Sequence, residues 1–486
     1  MTRATELRAG GAALLAALVA ALLVPTYPNY DTYFHLVWGR QILDGHLPSF
    51  EAYAAPTEHP LFLAACTLLD LVFGGWADRA LVLVCVACFV ALVWAVYRLG
   101  RACFGEWPGA VAALFCGSSF AFLLYAARAY VDVPFLAAVL WAGALEAERP
   151  RRGVPVAVLL AVAGLLRPEA WVLAGLYWLW CGWRRVDLLA LALAGPLGWA
   201  LTDLVVTGDP LFSLHATSSL AEDLGRERGI SHVPGAFVSF LADTARPPVF
   251  LAGLAGLALV AVEARTRPGP WLRRLPGVDA RALPPVSSAH VPLALFGAGV
   301  LTFVGSGVAG LSILPRYLTV PAVALCLFAG YAVAGPTRLP RGRLRTLWGR
   351  AGVAAAVVGV AFLVVKLGSF TALANELRFI RRTHDAVTAL ARDPAAARCR
   401  PITMPTYRLV PDLRFELDAP AAVQARNRFG PGRLAVYVTG DEKAVKRFGQ
   451  ADGVPRRTNR LPAGDGPPVA QHGFLTAYGS VSGRPC

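Results

Sequence analysis

Five short stretches place ionisable residues among apolar or aromatic neighbours. In "YDTYFHLVWGRQILDGHLP", Asp31 and His35 are four residues apart, which puts both on one face of a helix. A carboxylate there is either a proton acceptor in catalysis or the cap of that helix. In "ARAYVDVPFL", Asp132 occupies a short link between two apolar runs, with Arg128 just before it. The alternatives for Asp132 are a second reactive acid and a helix start with Pro134 in the first turn. In "GLLRPEAW", Arg167 and Glu169 interrupt an otherwise apolar hairpin, where charge is costly and marks function unless the two merely pair with each other. Arg316 and Tyr317, in "ILPRYLTVP", stand at the mouth of another apolar run, where an arginine either binds an anion or snorkels to the interface. Glu58 and His59, in "PTEHPL", are placed to contact a substrate or to ligate a cation with Asp31, but an adjacent Glu-His pair is a weak metal signal. No metal is assigned, and no P-loop, GxSxG, HExxH or paired CxxC motif is present.

The elements that must position these residues are membrane helices. Of 486 residues, 56% are hydrophobic and 16% charged, and the apolar ones come in long blocks. Although the net charge is +15, the arginines cluster in short links between those blocks, where they read as topology signals and exclude a nucleic-acid partner. The preference for arginine over lysine, with heavy use of Ala, Gly and Pro, suggests a GC-rich bacterial genome.

Hydropathy predicts about eleven transmembrane helices, near 9–27, 79–97, 109–127, 131–147, 153–168, 169–183, 186–206, 247–264, 291–310, 316–334 and 351–369. The first is read as a retained span, because no small-residue cleavage site precedes Pro25. The stretch Leu61 to Trp76 is short and carries Asp70, so it is expected to lie along the surface. The arginine-rich links then share one side, and the 28–78 loop, with one arginine against six acids, faces the other. That places the N-terminus in the cytoplasm of a bacterium and the 28–78 loop, with its interfacial helices, outside.

The polar remainder, 371–486, is expected outside as well, as a small α+β domain. It opens on "ELRFIRRTHDAVTALARD", a helix, and later reads "RLAVYVTGDEKAVKRFG", a strand then a helix. Seven of the nine cysteines lie in or beside apolar runs and act as small hydrophobes, whereas Cys399 and Cys486 suit a disulfide in an oxidising compartment. The region also carries 18 basic residues against 10 acids, enough to attract lipid phosphates or an anionic polymer as a lid or acceptor-docking domain.

An acid opening the first outer loop, a surface helix, a "PTEHPL" turn into a second, an acid in the next outer link and a basic residue in a later hairpin together resemble the GT-C glycosyltransferases. That superfamily includes protein O-mannosyltransferases, lipid A aminoarabinose transferases and actinobacterial arabinofuranosyl- and mannosyltransferases. The likeness spans about 1–370, the catalytic membrane domain it implies. By this resemblance Asp31 matches the catalytic acid, Asp132 the second outer acid, and Arg167 the cation near the lipid phosphate. Many members have paired acids at the first site, but here Thr32 follows Asp31, which leaves Asp31 alone as base. The implied activity is inverting transfer of a hexose or pentose from a polyprenyl-phosphate donor to a hydroxyl on a glycan, lipid or protein, in contact with membrane lipids and without a cofactor. The phosphate is already a good leaving group, so one base and phosphate-binding cations suffice. The rival readings are a transporter or flippase, which calls for inverted repeats, and a noncatalytic scaffold, in which Asp31 and Asp132 would lie far apart.

Overall fold

The computed structural model describes residues 3–24, 26–266, 289–338, 343–365, 368–426, 432–449 and 467–479. The first helix, α1 (Arg3–Leu23), leads into two helices of the first polar loop, α2 (Tyr30–Leu43) and α3 (Pro60–Phe73). A long α4 (Ala77–Phe104) follows, then α5 (Glu106–Gly117), α6 (Phe120–Ala127), α7 (Asp132–Glu148), α8 (Val154–Leu166), α9 (Glu169–Cys181) and α10 (Val186–Thr207). After α11 (Phe212–Asp223) and α12 (Val233–Ala245) come α13 (Pro247–Thr266), α14 (His290–Val308), α15 (Thr319–Ala334) and α16 (Arg343–Val365).

The chain is a multi-pass, mostly helical membrane protein, and all the apolar runs are helical. Among the described residues, five helical stretches are long and apolar enough to cross a membrane, or up to seven if each of two bent pairs is one span. The first bend, 59° between α5 and α6, falls at Ser118 and Ser119, poor helix formers that end the ladder inside the expected 109–127 run. The second, 108° between α12 and α13, falls where Pro247 and Pro248 remove two backbone donors. At the centre lies α15, buried from Thr319 to Tyr331 and packed on α13, α5 and α14.

Two local features set the position of α2. Its cap is Asn29, whose side chain accepts from the Thr32 N–H and donates to the Arg128 carbonyl at 3.1 Å. Asp31 is therefore not the cap, which corrects one of its two sequence readings. Asn29→Ala is expected to cost about 1–2 kcal/mol, as a lower melting temperature in detergent or lipid. Nor is α2 a one-sided surface helix, because Asp31 to Gly39 are all buried. On one side Gly39 meets α3 so closely that a Cβ would lie 2.9 Å from the Thr67 nitrogen.

On another side α2 meets the C-terminal region. There α17 (Gly368–Ala391), α18 (Pro394–Arg398) and α19 (Val410–Leu417) accompany a five-stranded sheet. Strands β1 (Ile402–Met404), β2 (Val423–Ala425) and β3 (Leu434–Val438) run parallel, and β4 (Ala470–His472) and β5 (Leu475–Gly479) complete the order β2-β1-β3-β5-β4. The expected strand and helix of 433–449 are β3 and a helix at Glu442–Phe448. Arg40 of α2 fastens the junction: it donates to Asp70 of α3 at 2.8 Å, to the Phe415 carbonyl at 2.9 Å and to Asp418 at 3.1 Å, and lies over the Phe415 ring. The seven cysteines of the helical part are free, Cys85 and Cys88 included. Cys399 is buried and disulfide-bonded, and Cys486 lies outside the described residues.

Candidate functional site

Three helix boundaries converge on a cavity of about 460 Å³. Asp31 comes from the first turn of α2. Arg167 lies at the end of α8, where Pro168 disfavours helical backbone in the preceding residue and holds Arg167 extended, at φ −151° and ψ 139°. Arg316 comes from a tight turn, Pro315–Leu318, ahead of α15. Beneath the hairpin, the indoles of Trp171 and Trp199 both donate to the Gly164 carbonyl at 3.0 Å, which locks α8, α9 and α10 together.

Of the residues expected from sequence, Asp31, His59, Arg167, Glu169, Arg316 and Tyr317 line the cavity. Arg316 Nη1 donates to Asp31 Oδ2 at 2.8 Å, while Asp31 Oδ1 is buried without a hydrogen-bond partner. Arg167 pairs with Asp132 on one side and with Glu169 on the other, its Nε donating to Oε1 at 3.1 Å. Its guanidinium also faces the Tyr317 ring, 5.6 Å from the centroid. Arg167 is thus paired with Glu169 and also lines the cavity.

Four expected residues sit elsewhere. Asp132 is fully buried at the first turn of α7 and reaches the cavity only through Arg167, so its place is that of a positioning residue. His35 is also fully buried: its Nδ1–H donates to the Asp31 carbonyl at 2.7 Å and its Nε2 accepts from the His59 N–H at 3.1 Å. Burial pushes its pKa down to about 4, so it is a neutral brace that ties the PTEHPL turn to α2. Arg128 spends its guanidinium on the carbonyls of Tyr27 and Pro28, at 3.1 and 2.7 Å. Glu58 is not part of the cavity lining; neither of its carboxylate oxygens has a hydrogen-bond partner.

The isolation of Glu58 yields a pH effect. Burial, assisted by the charge of Asp203, raises its pKa from 4.5 to about 7. Below pH 4.5 the group is neutral whether folded or unfolded; between 4.5 and 7 the unfolded chain loses the proton first, so folding is progressively destabilised, and above 7 the loss is complete. At about 1.4 kcal/mol per unit, the cost at pH 8 is on the order of 3 kcal/mol. Glu58→Gln removes that pH-dependent part, so its melting temperature relative to wild type should rise between pH 5 and pH 8.

The sequence reading passed over two further cavity residues. Asp203 interrupts the apolar run of α10, an intramembrane acid of the kind that marks a site, and accepts from the Ser213 N–H and hydroxyl at 2.9 and 2.7 Å. Arg226 adds a third guanidinium to the wall from the loop after α11; in "GRERG" nothing in the sequence distinguished it from a solvated arginine. None of the described residues after Tyr317 lines the cavity, so the C-terminal region supports α2 from behind.

Comparison with known proteins adds two kinds of likeness. The family described as dolichyl-phosphate-mannose-protein mannosyltransferase matches residues 56–199. Among solved structures, ArnT from Cupriavidus metallidurans bound to undecaprenyl phosphate superimposes with a TM-score of 0.57 at 14% identity, over 99% of each chain. The same protein in its apo state gives 0.52 at 14% identity, over 97% of this chain and 98% of that one. No curated protein sequence matches the chain.

Proposed function

We propose, for a chain that has the GT-C fold, that it is an inverting glycosyltransferase drawing on a polyprenyl-phosphate sugar at the outer face of the cytoplasmic membrane. The observation that carries this reading is one carboxylate oxygen, Asp31 Oδ1, unpartnered in a cavity whose wall also holds Arg167, Arg226 and Arg316. An acid with a free acceptor site beside a group of cations is suited to taking a proton at one point while negative charge develops at another.

In this mechanism Arg316 holds Asp31 by Oδ2, which aims Oδ1 at the acceptor hydroxyl. As the hydroxyl oxygen attacks the anomeric carbon, its proton passes to Oδ1. The carbon–oxygen bond to phosphate breaks on the opposite face, and the configuration inverts. The polyprenyl phosphate leaves with the electron pair, stabilised by the guanidiniums of Arg167, Arg226 and Arg316. Tyr317, Trp171 and Trp199 supply apolar wall against which a sugar ring can lie. The outer-face placement is supported by the arginine bias between loops, and the division into a membrane domain, 1–370, and an outer domain, 371–486, belongs to the same reading.

Purified protein in lipid, given a panel of radiolabelled polyprenyl-phosphate sugars and a mixed glycan, lipid and peptide acceptor pool, should transfer label from at least one donor with inverted anomeric configuration. Transfer with retention would overturn the mechanism. Acceptor-independent movement of the lipid-linked sugar across the bilayer, without new glycosidic bonds, would favour a flippase.

A further inference from the structure

A second concentration of ionisable groups lies well apart from the cavity wall, where α17 and α19 meet the start of α4. Asp412 and Glu416, one turn apart on α19, face His384 of α17: Asp412 Oδ1 is 3.6 Å from Nδ1 and Glu416 Oε1 is 3.9 Å from Nε2. Both separations are too long for hydrogen bonds. Asp412 is only 8% exposed, and its Oδ1, directed at the imidazole, has no hydrogen-bond partner. The ring itself is held by stacking on Tyr27 at 3.5 Å between centroids.

A third acid joins through Tyr33, whose hydroxyl donates to Asp78 Oδ2 and lies 3.2 Å from His384 Nδ1. Three carboxylates therefore surround one imidazole, and the guanidinium of Arg79, next to Asp78 in sequence, is turned onto the Tyr27 ring and hydroxyl. The group is short of positive charge, and an unpaired buried carboxylate is costly.

We propose that His384, Asp412 and Glu416 bind one divalent transition metal ion of the zinc class, in a structural site that joins α17 to α19. One donor atom from each residue lies within 4.8 Å of the other two. Tetrahedral ligands about 2.1 Å from zinc stand roughly 3.4 Å apart, so side-chain rotation closes the set without moving a helix. A neutral imidazole with two carboxylates suits zinc or its neighbours better than calcium or magnesium, which favour oxygen alone. The outer contacts are in place as well: Nδ1–H donates to the Tyr33 oxygen and Tyr33 O–H donates to Asp78, which leaves on Nε2 a lone pair that the Thr388 hydroxyl, 3.2 Å away, occupies until a metal ion displaces it. The site stands independently of the glycosyltransferase reading.

The test uses the full chain, free of any tag, in lipid nanodiscs. Protein stripped with a chelator, exposed to Zn²⁺ and passed through gel filtration should retain about one equivalent, with a raised melting temperature that the chelator reverses. Asp412→Asn with Glu416→Gln should lose both the equivalent and the thermal shift. Glu58→Gln, at a buried carboxylate outside the cluster with neither oxygen partnered, should keep them. If the double variant does not fold, His384→Gln replaces it and should weaken zinc binding at least about tenfold. Failure of the wild type to retain zinc, equal retention by the cluster variants, or loss in Glu58→Gln alone would each overturn the proposal.

Discussion

Asp31→Asn is expected to lower glycosyl transfer roughly 10²–10⁴-fold while the protein still folds. The substitution keeps an oxygen for Arg316 Nη1 and keeps the shape of the wall, but removes the only proton acceptor that the cavity offers at that position. Donor binding should persist, because the three arginines remain, so the loss falls on kcat rather than KM. Asp31→Glu tests the geometry separately: it retains the charge yet moves the oxygens by a methylene, enough to spoil an in-line attack. Turnover measured beside thermal melting distinguishes these outcomes, and an Asn variant with normal turnover would remove Asp31 from the mechanism.

The second large effect concerns Arg167. Arg167→Gln leaves Asp132, fully buried, without its cation, and breaking such a buried pair costs about 3–5 kcal/mol. It also removes a guanidinium from the cavity wall, worth about 10–100-fold in affinity for a phosphate. The two consequences separate in the double variant Asp132→Asn/Arg167→Gln. Neutralising Asp132 should restore most of the melting temperature, and donor affinity should stay low. Recovery of both would make Arg167 a fastening of the hairpin and nothing more.

The membrane helices were legible because hydropathy marks a transmembrane run directly, and their ends agree with the expected runs to within a few residues at most positions. The bends at Ser118–Ser119 and before Pro247 were written in known helix breakers, yet an averaged hydropathy profile passes over them. Within the site, Arg167 stood out as a charge inside an apolar hairpin, Asp31 as an acid opening a polar loop four residues before His35, and Arg316 as a cation at the mouth of an apolar run. What sequence could not give was direction. His35 and Arg128 occur among the same aromatics and turns as Asp31, but they donate to backbone carbonyls and never face the cavity. Capping offers a clear case of competition: Asn29 and Asp31 are both good caps two residues apart, and contact with Arg128 of a distant link decides for Asn29. His384, Asp412 and Glu416 were invisible as a group because 27 residues of chain, including the first strand, separate the histidine from Asp412.

Arg40 holds three parts of the chain at once: the helix that carries Asp31, the following helix through Asp70, and the C-terminal region through Phe415 and Asp418. The boundary near residue 370 is therefore no seam along which the protein can be divided. A chain truncated there would leave the guanidinium with one partner of its three and strip the Tyr407 and Phe415 rings from Tyr30 and Tyr33, on either side of Asp31, so Asp31 would lose its fixed bearing. A chimera that borrowed the outer region of another such protein would need the partners of residue 40 to travel with it. The C-terminal region and the helix that carries Asp31 are thus coupled through one guanidinium.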